Sequence, residues 1–194
     1  MIYDKFARKY DCALAPFEKR FLRQWRRETL SFLPENARIL EIGAGTGANF
    51  PFYSHLQQAV ATEISSKMLT FAKEKTNSIV LLQADAENLP FAENSFDAAL
   101  ATLVFCSIPQ PEKAFAELRR TIRNGGKIVL LEHVRPNGLL GISFDCLSVL
   151  TVAAIEDHFN RETAKIAEKC GLKIVELRKK VFGIVNLIVC EVVK

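Results

Sequence analysis

Between Ile39 and Phe50 the chain reads Ile-Leu-Glu-Ile-Gly-Ala-Gly-Thr-Gly-Ala-Asn-Phe, four residues suited to a buried strand and then glycine at every second position. A strand, then glycines, then a helix is how an open parallel sheet makes a ligand site. The loop lies at the carboxyl end of the strand, and absent side chains let a ligand approach backbone N–H groups. The chemistry on offer is recognition of a cofactor; the other use of the same glycines is a tight turn and nothing more. A dinucleotide fingerprint would space them G-x-G-x-x-G, whereas here Gly47 comes one residue early and Glu41 precedes the first glycine. No lysine follows to make a phosphate loop.

Groups able to act on a second substrate are few. His133 and His158 could each take a proton near neutral pH, although a lone histidine is as readily structural. Tyr3 and Tyr10 offer phenol oxygens, or ring faces that attract alkylammonium groups; the alternative is a hydrophobic lid without a chemical role. Asn160 and Arg161 could hold a phosphate or carboxylate of an acceptor, or cap a helix and form a surface ion pair. Cys106 would shape a pocket rather than react. The five cysteines (Cys12, Cys106, Cys146, Cys170 and Cys190) are far apart, odd in number and without a C-x-x-C pair. That pattern argues against a disulfide framework or a zinc site, and no metal is expected.

These residues need a scaffold, and the periodicity from Arg38 onward supplies one. Short apolar runs alternate with helical patterns: a strand at Ala37–Gly43, a helix after Gly47, a strand over Gln58–Ile64, a helix through Met68 and Phe71, then strands at Ile79–Asp85 and Ser95–Phe105. A helix from about Pro111 carries Phe115, Leu118 and Ile122 on one face and is expected to stop at Asn124-Gly125-Gly126. Runs such as Lys127–Leu131 are too apolar for a half-exposed strand, so the spacing predicts a doubly wound α/β fold with a mostly parallel sheet. Two last runs, Leu172–Lys179 and Asn186–Lys194, are close enough to pair antiparallel at a sheet edge. The 194 residues, about half apolar, fit one domain over 1–194.

All of the formal charge of +4 sits at the N-terminus, where residues 1–30 hold eight Lys and Arg against four Asp and Glu. Leu14, Phe17, Phe21 and Trp25 recur there at helical spacing, with Lys19, Arg20, Arg23, Arg26 and Arg27 mainly on other faces. Residues 1–33 therefore read as a basic amphipathic helical segment that docks its aromatic stripe on the core, or meets an anionic membrane surface. No motif of a recognised nucleic-acid module accompanies the basic run. The first dozen residues lack the features of a signal peptide, which sets the expectation of a cytoplasmic protein, peripheral at the inner membrane surface if the segment binds lipid. Gly138 to Ile155 is apolar except for Asp145, and eighteen residues around a central aspartate make a poor bilayer span.

The run Leu40–Gly47 resembles motif I of the class I S-adenosylmethionine-dependent methyltransferases, E/D-x-G-x-G-x-G. Glu63, twenty residues after Gly43, falls where that family grips the ribose hydroxyls. Gln83–Phe91 resembles the adenine-binding segment, and Ser95–His133 the fourth strand, helix and fifth strand of the ubiquinone/menaquinone-type branch. The resemblance implies a Rossmann-like seven-stranded sheet with an antiparallel edge strand. It implies S-adenosyl-L-methionine held by Glu41, Gly43, Ala44, Gly45, Thr46, Gly47, Glu63, Ile64, Met68, Asp85, Ala86, Glu87, Thr102 and Leu103, with S-adenosyl-L-homocysteine as product. Residues 3–11, 106–114, 132–136 and 158–163 look like the small bacterial phosphatidylethanolamine N-methyltransferases and the membrane-associated thiol methyltransferases. The chain departs from both at Glu156-Asp157, where they carry a small residue and cysteine. The same resemblance makes 138–160 an apolar lid on the acceptor side, with Tyr3, Cys106, Asn160 and Arg161 at the acceptor and Tyr10, His133 and His158 as proton-handling candidates. The acceptor is then a lipid or another hydrophobic small molecule: a headgroup amine, a thiol or a quinone ring carbon. A binding module that keeps the cofactor without turnover is the non-enzymatic alternative.

Overall fold

The computed structural model describes residues 15–54, 58–76, 78–134 and 161–194. The apolar runs become seven strands: β1 (Arg38–Ile42), β2 (Gln58–Glu63), β3 (Val80–Gln83), β4 (Phe96–Thr102), β5 (Ile122–His133), β6 (Leu172–Lys180) and β7 (Val185–Val192). They form one sheet in the order β3-β2-β1-β4-β5-β7-β6. The first five pair in parallel, while β7 runs antiparallel to both β5 and β6. The two C-terminal runs thus close the sheet as an antiparallel pair, as their short separation predicts.

Side chains of a strand alternate between faces, so near-continuous apolar runs need a cover on both sides. On one face Ile39, Leu100, Val129, Leu187 and Val189 pack with Leu22, Trp25 and Leu30. Those three come from helix α1 (Arg23–Leu30) and the π-helical turn Glu18–Leu22 that leads into it. On the other face Leu40, Ala99, Ile128, Leu130 and Ile188 meet Phe115 and Leu118 of α3 (Pro111–Thr121) and Ala167 of α4 (Thr163–Lys169). Helix α2 (Ser66–Lys73) begins at Ser65, whose side chain accepts from the Met68 N–H as an N-cap. Cys190 is a packing residue: burial pushes its thiol up to about 12.

Three expectations change. Gly47 is followed by turns and a 3₁₀ turn (Phe50–Phe52), not an α-helix, because Asn49 turns its side chain inward and Pro51 has no N–H for a helical ladder. Helix α3 ends at Thr121 rather than at the glycines, since Ile122 is already paired with Phe96; Asn124-Gly125-Gly126 lies inside β5 at a shift in register. The aromatic stripe docks only in part, with Trp25 buried but Phe17 and Phe21 left 40% and 36% exposed. Strand β3 is an edge, and Val80 stays 61% exposed. Tyr3, Tyr10, His158, Asn160 and the segment 138–160 lie outside the described residues. Among the described residues, no helix is long and apolar enough to cross a membrane.

Candidate active site

The strand order reverses at β1, whose sequence-later neighbours β2 and β4 leave on opposite sides. Beyond the carboxyl ends of strands at such a switch point the connecting loops diverge and leave a crevice. A cavity of about 260 Å³ opens there, walled by Gly43–Thr46 after β1, Glu63 and Ile64 after β2, Ala84–Ala86 after β3 and Thr102–Val104 after β4. Met68 of α2 and the Ser107–Pro109 turn complete it.

The glycine loop has the shape its sequence suggests. Gly45 has φ of +56°, and a Cβ there would touch nothing within 4 Å, so its bare face borders open cavity. At Gly43 a Cβ would come within 2.5 Å of Val104, so only glycine lets the loop after β4 close over it. Glu63 sits at the rim with both oxygens engaged by backbone, the Gly45 N–H at 2.9 Å and the Ser65 N–H at 2.9 Å. A carboxylate accepts at about four lone-pair sites, so a group oriented this way can also receive ligand hydroxyls. Leu103 is left-handed, φ +58°, and its N–H donates to the Leu131 carbonyl at 2.7 Å. The buried Glu132 accepts from the Val104 N–H at 3.1 Å. This pair of bonds fixes a strained backbone against the cavity wall.

Beneath the loop lies a buried polar network. Asn49 Nδ2 donates to Glu41 Oε1 at 2.7 Å and to Thr102 Oγ1 at 2.9 Å, and the Tyr53 hydroxyl donates to Glu41 Oε2 at 2.9 Å. Arg26 of α1 reaches in with Nη1 to Asn49 Oδ1 (2.9 Å) and Thr102 Oγ1 (2.5 Å), while its Nε bonds Glu18 at 3.1 Å. Burial pushes the Glu41 carboxyl up to about 7, against the lowering effect of Asn49, Tyr53 and the Arg26 charge.

The structure therefore brings Gly43, Ala44, Gly45, Thr46, Glu63, Ile64, Met68, Asp85, Ala86, Thr102 and Leu103 to one cavity. Glu41, Gly47 and Glu87 stand behind it: Glu87 Oε1 accepts from the Gln110 N–H at 2.8 Å, and Gly47 packs on the Phe50 ring. Cys106 is buried beside Ser107 rather than on the wall, with 3.6 Å between Sγ and Oγ. Arg161 donates to the Phe105 carbonyl, and His133 pairs in register with Val185 outside the cavity lining. Sequence reasoning missed Arg26, which it assigned to the solvated face of the first helix. Its position one residue after the buried Trp25 was the signal, since a neighbour of the docked stripe can turn inward. Ser107–Pro109 was singled out only within the resemblance over 106–114 and not as part of the cavity wall.

A family profile described as "Methyltransferase domain" matches residues 40–130. The chain is 34% identical over 115 residues to a phosphatidylethanolamine N-methyltransferase of Cereibacter sphaeroides, covering 56% of this chain and 57% of that one. It is 34% identical over 139 residues to a demethylmenaquinone methyltransferase of Renibacterium salmoninarum, covering 70% and 58%. The chain belongs to the class I S-adenosylmethionine-dependent methyltransferases, in the ubiquinone/menaquinone-type branch. It spans less than two thirds of the length of these two methyltransferase relatives. A Thermotoga maritima structure described as a possible histamine N-methyltransferase superposes with a TM-score of 0.78 at 24% identity, covering 98% and 97% of the two methyltransferase chains, which shows the shared fold.

S-adenosylmethionine is the cofactor of this family, and the residues present fit it. The bare face at Gly45 leaves the room a nucleoside amino acid needs, Glu63 offers an oriented carboxylate for sugar hydroxyls, and Arg26 adds a cation to the lining.

Proposed function

We propose that this chain transfers a methyl group from S-adenosylmethionine to a hydrophobic acceptor, best matched by a phospholipid headgroup amine of the phosphatidylethanolamine type. The observation that carries the reading is the cavity at the switch point, with Glu63 held by the Gly45 and Ser65 N–H groups beside the exposed glycine face. Glu63 grips the ribose, Asp85 takes the adenine amine beside Ala86, and Arg26 pairs with the carboxylate of the amino-acid half. The bound sulfonium supplies the methyl group and its own leaving group. What the chain contributes is alignment and exclusion of water, since an in-line displacement gains most from fixed geometry. Leu103, Val104, Ile108 and Pro109 make the apolar side on which the acceptor approaches. An alkylammonium acceptor must lose a proton first. Of the candidate bases Tyr10, His133 and His158, His133 stands outside the cavity lining and the other two, like the acceptor-side candidates Tyr3 and Asn160, lie outside the described residues, while Cys106 and Arg161 do not line the cavity. Action takes place at the cytoplasmic face of a membrane, with the basic residues 1–30 towards anionic lipid.

The phosphatidylethanolamine relative favours the amine, and the demethylmenaquinone relative favours a second reading, methylation of a quinone-like ring carbon. Incubation of the purified chain with label-bearing cofactor and a lipid extract separates them. Label in a phospholipid supports the first and label in the quinone fraction the second; label on small thiols alone, or bound but unreacted cofactor, counts against both. Calorimetry with S-adenosylhomocysteine tests the cavity itself. Asp85→Ala is expected to weaken binding about tenfold, about 1.4 kcal/mol, and no heat from the unaltered chain would end the proposal.

A further inference from the structure

We propose that the tip of the β6–β7 hairpin, Val181–Gly183, is a membrane-contact point that acts together with the N-terminal helix to seat this domain on an anionic lipid surface. The inference rests on the lipid-acceptor reading above and adds a contact that the basic N-terminus alone does not provide.

Phe182 is 91% exposed at the end of the hairpin, and Val181 beside it is exposed as well. Both have left-handed backbone, φ +48° at Val181 and +55° at Phe182, a conformation that L side chains and β-branched residues above all avoid. The chain therefore holds an unfavourable turn that presents its apolar side chains to the outside. Such a turn is stabilised when the exposed ring finds an apolar medium beyond the protein.

The tip is joined to the other exposed aromatic cluster. Lys180 Nζ lies 6.0 Å over the Trp25 ring and 2.6 Å from Glu28 Oε2, and Arg178 bonds Glu28 at 3.1 Å while its guanidinium sits over Phe32. Phe21 stacks on Trp25 at 5.6 Å, and Phe17 lies 5.5 Å from Phe21 and 6.0 Å from Trp25. Hairpin and helix thus carry Phe17, Phe21 and Phe182 on one connected body. Cations surround these rings. Residues 15–30 hold five basic against two acidic residues, and both acids, Glu18 and Glu28, are tied in ion pairs. Residues 176–184 hold three basic residues and one acid, Glu176. Arg178 pairs with Glu176 and, like Lys180, with Glu28, so the cationic excess rests on Lys179 together with Lys19, Arg20, Arg23 and Arg27 of the N-terminal helical segment. Exposed aromatics among excess cations match a surface that is apolar below and anionic at the headgroups.

Orientation fits as well. Strand β6 runs parallel to β5, and the Val134 N–H donates to the Ile184 carbonyl at 2.7 Å, which puts the tip at the carboxyl end of the sheet, where the cavity opens. A bilayer in contact with the tip would lie on the cavity side of the sheet.

The test is co-sedimentation of the full chain with vesicles of phosphatidylcholine alone or mixed with phosphatidylglycerol. The unaltered chain is expected to pellet with the anionic vesicles and to be released by high salt. Phe182→Ser is expected to lower partitioning about tenfold while leaving S-adenosylhomocysteine binding by calorimetry unchanged. In a second variant, Trp25→Phe with Phe182→Trp, the single tryptophan should shift its emission to the blue on anionic vesicles. Partitioning of the unaltered chain that Phe182→Ser leaves intact overturns the hairpin contact alone. Failure of the unaltered chain to pellet overturns it together with membrane docking, whatever calorimetry says of the cofactor site. Self-association or polyglutamate binding lost on Phe182→Ser, without vesicle binding, assigns the tip to a protein partner and overturns the lipid.

Discussion

Strands β1 and β2 lie side by side, and each carries a glutamate near its carboxyl end, Glu41 and Glu63, yet the two carboxylates are built in opposite ways. Glu41 is 1% exposed and held by side chains, Asn49 and Tyr53, with the Arg26 charge nearby. Glu63 is held by backbone N–H groups of Gly45 and Ser65 and borders the cavity. Side-chain donors tie one piece of chain to another, so Glu41 joins β1 to the turn after the glycine loop and, through Asn49, to α1. Backbone donors leave no such choice of partner and only aim the group. Two acids that look alike in sequence thus divide into one that holds the loop and one that borders the cavity.

The comparison breaks most readily at Arg26, the cation of the inner network. Arg26→Ala leaves Asn49 Oδ1 without its buried donor, Thr102 Oγ1 with only the Asn49 Nδ2 bond, and Glu41 without its nearby charge. Losing one partner of a buried charged network costs roughly 3–5 kcal/mol, to be read from chemical denaturation. If Arg26→Ala unfolds like the parent, the network does not hold α1 to the loop. Next comes the outer acid. Glu63→Ala should weaken S-adenosylhomocysteine binding about 10–100-fold by calorimetry, whereas Glu41→Gln should change it only a few-fold. Equal losses would erase the distinction between the two acids.

Titration sharpens the same contrast. The folded-state value of Glu41, about 7, stands above its ordinary 4.5, so the folded chain keeps a proton that the unfolded chain releases. The stabilisation is complete below about pH 4.5 and is lost as pH rises through about 7, a decline on the order of 3 kcal/mol. Denaturation midpoints across that window should fall in the parent and stay level in Glu41→Gln. A parent without the decline would mean that Glu41 is ionised in the folded chain throughout.

Much of this was legible beforehand, for reasons of period and spacing. Strands buried on both faces announce themselves as apolar runs, which is why β1, β2, β4, β5 and β7 could be read; β3 and β6 were read as well, although most of their side chains are exposed or half-buried. The glycines marked the cavity because their missing side chains are themselves the signal. What stayed hidden depends on direction rather than type. Glu41 sits in the motif but turns away from the cavity wall, and nothing in its letter records that Asn49 and Tyr53 would surround it. Arg26 looked solvated because it falls with Lys19, Arg20, Arg23 and Arg27 off the aromatic stripe, whereas one step of 100° around the helix from the buried Trp25 brings it inward. The Asn124-Gly125-Gly126 run resembled a helix stop, yet pairing of Ile122 with Phe96 began the strand first, a tertiary contact that overrides local turn preference.

The smallest change tests which donor matters to Glu41. Tyr53→Phe removes one hydroxyl, whose bond to Glu41 Oε2 favours the charged carboxylate, and leaves the ring packed against Phe50 and its neighbours. Loss of one such bond costs roughly 1–2 kcal/mol at pH values where Glu41 is ionised, and less where it is protonated. Without that hydroxyl the carboxyl should rise above its present value of about 7, so the decline in stability should continue to higher pH than in the parent. A pH profile of unfolding reads both effects at once. A uniform offset at every pH would assign Tyr53 a packing role only, and a decline ending at the same pH would make Asn49 and the Arg26 charge the groups that set the ionisation of Glu41.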